Sequence, residues 1–80
     1  MDSGTIRNLI QHALPDAQVD VSGADGVHFE ARIVSAAFRD QRPLARHRLV
    51  YRALGDLMGG AIHALSLTTL TPEEAGGAGS

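Results

Sequence analysis

The spacing of apolar residues changes period along this chain, and that change limits the fold more than any other feature. Ile6, Leu9, Ile10, Ala13 and Leu14 recur every three or four positions. They form one apolar stripe on a helix expected over about Ser3 to Ala13. Asp2 or Ser3 can cap its start, and Pro15 stops it, because the residue before a proline disfavours helix. From about Val27 to Ser35 the period becomes two. Phe29, Ala31 and Ile33 alternate with His28, Glu30 and Arg32, as in a strand with one buried and one wet face. A shorter strand, Gln18 to Ser22, precedes it with Val19 and Val21 on one side. Gly23-Ala24-Asp25-Gly26 between the two is turn chemistry, so a β-hairpin is expected.

The helical period then returns. Ser35 is placed to cap a single turn through Ala36, Ala37 and Phe38. Pro43 suits the first position of the longest helix, expected over Pro43 to Met58. Leu44, Val50, Tyr51, Leu54, Leu57 and Met58 share its apolar arc, with His47 inside the arc and Arg46 near its edge. Arg48, Arg52 and Asp56 lie opposite, and Gly59 stands where a helix ends. A last strand is expected over Ala61 to Thr69, with His63, Leu65 and Leu67 on one face and Ile62, Ala64 and Ser66 on the other. Thr71-Pro72-Glu73-Glu74 has the cap, the proline and the acidic first turn of a helix start. The glycine-rich residues 75–80 are expected to be a disordered tail. The order α-β-β-α-α-β makes an α+β domain over residues 1–74, a three-stranded sheet with helices on one face.

Eighty residues bound this to one domain with a thin core. With no cysteine, the chain has no disulfide, thiolate nucleophile or thiolate metal site of its own. The N-terminus lacks the basic and apolar runs of a signal peptide, and no apolar segment is long enough to span a membrane. A cytoplasmic protein with no membrane partner is the expectation. The net charge of −2 is unlike that of a dedicated nucleic-acid binder. All seven basic residues are arginine, however, and Arg39, Arg42, Arg46, Arg48 and Arg52 fall in one window. Arginine forks suit phosphate or carboxylate; arginines on an ordinary solvated helix look the same. No nucleophile elbow or phosphate-cradling loop points to an enzyme.

Four runs in order, Ile33-Val-Ser-Ala-Ala-Phe38, Leu44-Ala-Arg-His-Arg-Leu-Val-Tyr51, Ile62-His-Ala-Leu65 and Thr71-Pro-Glu-Glu74, resemble the BolA family. The resemblance covers nearly the whole chain and implies a class II KH-like fold. It also implies a function. BolA-like proteins pair with monothiol glutaredoxins, and the pair holds a 2Fe–2S cluster with glutathione, in iron–sulfur trafficking or iron and redox regulation. The family's histidine at the start of the last strand is His63 here. A second ligand comes, in several subgroups, from the loop between the first two strands. The aligned residue in this chain is Asp25, with His28 three residues on. Ala75 replaces a tryptophan that is usual in the family. The isolated domain is expected to bind no cofactor and to be a monomer or weak homodimer.

Each candidate also has an ordinary reading. His63 could be a half-buried residue bonded to backbone, His28 a solvent-facing strand residue, and Asp25 a turn residue bonding its own backbone. His47 reads as a packed residue and His12 as an exposed one. No histidine spacing suits a self-contained zinc site. The resemblance offers a second function, DNA binding and transcriptional control in stress response and cell morphology, with the five arginines as the surface. The loop Phe38-Arg-Asp-Gln-Arg-Pro43 lacks the Gly-x-x-Gly clamp of KH modules.

Overall fold

A computed structural model describes residues 1–77. Helix α1 (Ser3–Ala13) leads into strands β1 (Gln18–Ser22) and β2 (His28–Val34). A 3₁₀ turn (Ala36–Phe38) and helix α2 (Pro43–Leu54) follow. A second 3₁₀ turn (Gly55–Leu57), strand β3 (Ala64–Leu70) and helix α3 (Pro72–Gly77) complete the order. The sheet runs β1-β2-β3. β1 pairs antiparallel with β2, Val21 beside Ala31, and β3 lies parallel to β2, Leu67 beside Ala31. A parallel neighbour requires a crossover, and α2 supplies it.

One sheet face carries the core. Val19, Phe29, Ala31 and Ile33 meet Ile6 and Ile10 of α1 and Val50 and Leu54 of α2, with Phe38 and Ile62 closing the ends. The opposite face, with Asp20, Ser22, Glu30, Arg32, Ser66 and Thr68, is left open by the helices. The caps follow local chemistry. Asp2 accepts from the Thr5 amide at 2.8 Å. Ser35 accepts from the Ala37 amide and donates to Asp16 at 2.9 Å, so the 3₁₀ turn is fastened to the α1–β1 loop.

Four expectations are corrected. The long helix stops at Leu54 rather than Met58, because Gly55 takes a left-handed φ of 56° and turns the chain out of the helix. Its buried line is also rotated. Val50 and Leu54 face the sheet, whereas Leu44 is 61% exposed and Tyr51 38%. α2 is shared between the sheet and α1, so its apolar arc is centred away from those two residues. The last strand begins at Ala64, not Ala61. Ile62 is instead gathered into a tight turn, donating to Leu57 O at 2.8 Å while its carbonyl accepts from Gly59 at 3.0 Å. His63 occupies a bend that breaks the alternation, so both Ile62 and Leu65 turn towards the core. Lastly, the tail expected from Ala75 is helical through Gly77. Ala75 donates to Thr71 O at 3.0 Å, and the first turn is held by the capping box described below. Residues 78–80 of that expected tail lie outside the described residues.

Candidate functional site: a histidine pair at one end of the sheet

The β1–β2 turn is built around Asp25. Its Oδ1 accepts from the amides of Val27 at 2.9 Å and His28 at 2.8 Å, and its Oδ2 meets His28 Nδ1 at 2.7 Å. The His28 side chain, then the His28 and Val27 amides, hold the Asp25 carboxyl far below its ordinary pKa. An ionised carboxylate can only accept. Nδ1 must therefore carry a hydrogen, and in the neutral ring Nε2 keeps the free lone pair. Gly23 is required here because a Cβ would lie 2.2 Å from an edge carbon of the buried Phe29 ring. Gly26, at φ 71°, supplies the left-handed step.

His28 opens β2 opposite Ala64, the first residue of β3. His63 immediately precedes Ala64. The hairpin turn and the mouth of β3 therefore share one end of the sheet, with His28 on the first residue of β2 and His63 in the bend just before β3. His63 is exposed while Ile62 is fully buried, so the histidine rides on a fixed anchor. The half-buried, backbone-bonded reading of His63 does not describe it. Asp25 follows its ordinary reading as a turn residue, and it also orients His28. Among the described residues no three His, Asp or Glu side chains group closely enough to hold a metal ion. His47 is half-buried and packs edge-on against Tyr51, with ring centres 6.4 Å apart, and His12 is exposed.

The arginine window does not form one free surface. Arg39 grips Glu73 through two bonds, at 2.5 and 3.0 Å. Arg46, only 11% exposed along its side chain, donates to Gln41 O, Thr69 O and Glu74 Oε1 and lies 5.9 Å from the Phe38 ring centre. Glu74 closes a capping box with Thr71: its Oε1 accepts from the Thr71 amide at 2.8 Å, and its amide donates to Thr71 Oγ1 at 3.1 Å. Arg39 and Arg46 thus fasten α3 to the body. The two glutamates were readable as a helix start, but nothing local signals their arginine partners some thirty positions away. Arg42, Arg48 and Arg52 are exposed.

The model of the BolA-like protein family matches residues 8–74. The chain belongs to the BolA family. Its fold is similar to that of a BolA protein homologue from Coxiella burnetii, with 45% identity, a TM-score of 0.82 and coverage of 94% of this chain and 96% of that one. It is 45% identical to SufE-like protein 1 of Arabidopsis thaliana over 80% of this chain and 18% of that protein. It is 47% identical to the DNA-binding transcriptional regulator BolA of Vibrio cholerae over 59% of this chain and 44% of that protein. The matched segment spans less than half the length of either of these two relatives. No helix among the described residues is long and apolar enough to cross a membrane.

Proposed function

We propose that this BolA-like domain is an adaptor that docks on a monothiol glutaredoxin and completes the ligand set of a shared 2Fe–2S cluster. The observation that carries the reading is the exposed His63, mounted on the buried Ile62 beside an oriented His28. Neutral imidazole suits iron and can replace a thiolate at one iron of such a cluster. A histidine whose other nitrogen is held by a carboxylate is the usual arrangement in protein metal sites. The donor set fits half of a site, with the remaining ligands coming from the partner's thiolate and glutathione. His63 is the ligand, His28 the second nitrogen donor and Asp25 the residue that orients it. The histidine ligation would raise the cluster's potential relative to an all-thiolate site.

Anaerobic co-purification with a monothiol glutaredoxin and glutathione, followed by absorption and circular dichroism, tests this. His63→Ala should change the visible spectrum and speed cluster loss, and His28→Ala should act in the same direction but less strongly. An unchanged spectrum and lability in His63→Ala would remove the ligand role.

The relative named as a DNA-binding regulator favours a second reading, contact with DNA phosphates through Arg42, Arg48 and Arg52. Arg39 and Arg46 are committed to α3, so the binding should weaken only shallowly with salt, in proportion to few contacts. No retardation of duplex DNA at low salt would exclude it.

A further inference from the structure

The edge of β3 is open to pairing at Leu65 and Leu67, and we infer that it joins two copies of this chain into one continuous sheet. This inference does not depend on the cluster reading. Leu70 O accepts from Ser35 N at 3.0 Å, which turns Leu70, and by alternation Thr68, Ser66 and Ala64, towards β2. The N–H and C=O groups of Leu65, Leu67 and Thr69 therefore point off the sheet. Among these, Thr69 O is taken by Arg46 Nη1 at 3.0 Å. No other strand among the described residues covers this edge.

Natural edges are blunted by charge, proline or a short run. The β1 edge follows that rule, being five residues long, preceded by Pro15-Asp16 and carrying Asp20. The β3 edge does not: from Gly59 to Thr71 the chain has no Asp, Glu, Lys, Arg or Pro. The helix above this edge adds apolar surface. With Val50 towards the sheet, Leu49 and Ala53 line a depression with Ala13 and Leu14 of α1. Leu44, His47 and Tyr51 therefore lie on the opposite flank of α2, away from α1. Leu44 and Tyr51 are two of the few large apolar side chains left exposed.

A second copy fits this surface better than a charged partner strand would. Two neutral edges meet about a two-fold axis without like-charge contacts, and such isologous pairing closes after two copies. Arg46 sets the register. With Thr69 O already occupied, the free groups are best used when Leu65 of each copy exchanges both backbone bonds with Leu67 of the other. Ser66 then faces Ser66 across the axis, and Leu44 and Tyr51 of the two α2 helices approach one another. In the same register His63 comes opposite Thr69 of the second copy, so pairing covers one approach to that histidine.

The absence of cysteine makes a clean probe. Facing Ser66 residues form a non-hydrogen-bonded pair with Cα atoms about 4.5 Å apart, inside the range a disulfide bridges. Ser66→Cys should form a disulfide-linked dimer under mild oxidation about tenfold faster than Ser22→Cys on the guarded edge, because pairing raises the effective thiol concentration. Sedimentation velocity should show concentration-dependent dimer in the parent. The Leu44→Glu/Tyr51→Glu variant, whose changes sit on exposed positions and whose fold is checked by circular dichroism, should shift to monomer. A parent that remains monomeric to about 1 mM, or a Ser66→Cys variant that cross-links no faster than Ser22→Cys, overturns the inference.

Discussion

Asp25 shows how one side chain can set the chemistry of another. Its two oxygens divide the work: one fixes the turn through two amides, and the other holds Nδ1 of His28. The expected consequence is a tautomer. In the parent, long-range ¹H–¹⁵N correlation spectra should show the neutral His28 ring protonated at Nδ1. In Asp25→Ala the ring should move towards the Nε2–H form, and the Val27 and His28 amides should exchange faster. An unchanged ring pattern would mean that the carboxylate does not orient the imidazole. Gly23 makes a second residue-scale case. Gly23→Ala drives a Cβ against the edge of the Phe29 ring, and such overpacking should cost about 1–3 kcal/mol in urea unfolding. Neither effect was legible in the sequence. The Gly-Ala-Asp-Gly turn was readable, but the approach of Phe29 and the reach of His28 back to Asp25 require the strands to be paired first.

At the scale of elements, α3 is the informative case. A short helix ending in glycines has little intrinsic stability, so its docking depends on Arg39 and Arg46. The two contributions should differ. Arg39–Glu73 is solvent-exposed, and Arg39→Ala should cost little stability because water and salt screen such a pair. Arg46 is largely covered and satisfies three oxygens at once. Arg46→Ala should cost about 2 kcal/mol and free the α3 amides to exchange. Acid should act on the same joint. Arg39 holds the Glu73 carboxyl below its ordinary value, and Arg46 with the Thr71 amide does the same for Glu74. Carboxylates with lowered folded-state pKa values stabilise fully above their unfolded values, near pH 4.5, and lose that contribution as pH falls through the folded ones. Amide protection in α3 should therefore fall below about pH 4.5 before that of β2. The helix start was visible in Thr71-Pro-Glu-Glu74 because capping is local. The continuation to Gly77 was not visible, because long-range ion pairs hold the helix down.

Across the whole molecule, the element order and the buried face of the sheet followed from period alone, because a two-residue alternation leaves one solution for Phe29, Ala31 and Ile33. The site was legible in a different sense. His63 stood out through its family resemblance, whereas the expected alternation across Ala61 to Thr69 placed it on the wrong face. The bend that exposes it depends on Ile62, which is fully buried and bonded to Leu57 and Gly59. The core that holds Ile62 is small, and a domain of this length has a net stability of only about 4–12 kcal/mol. Ile62→Val should cost about 1 kcal/mol and Ile62→Ala about 2–5 kcal/mol, which is a large share of that total. The more useful readout is position. In Ile62→Val, a folded protein, the His63 backbone resonances should shift more than those of His28, because the lost methyl loosens the anchor beneath one histidine and not the other. Equal or absent shifts, or an Ile62→Ala variant as stable as the parent, would show that the exposed histidine is not held in place by the core.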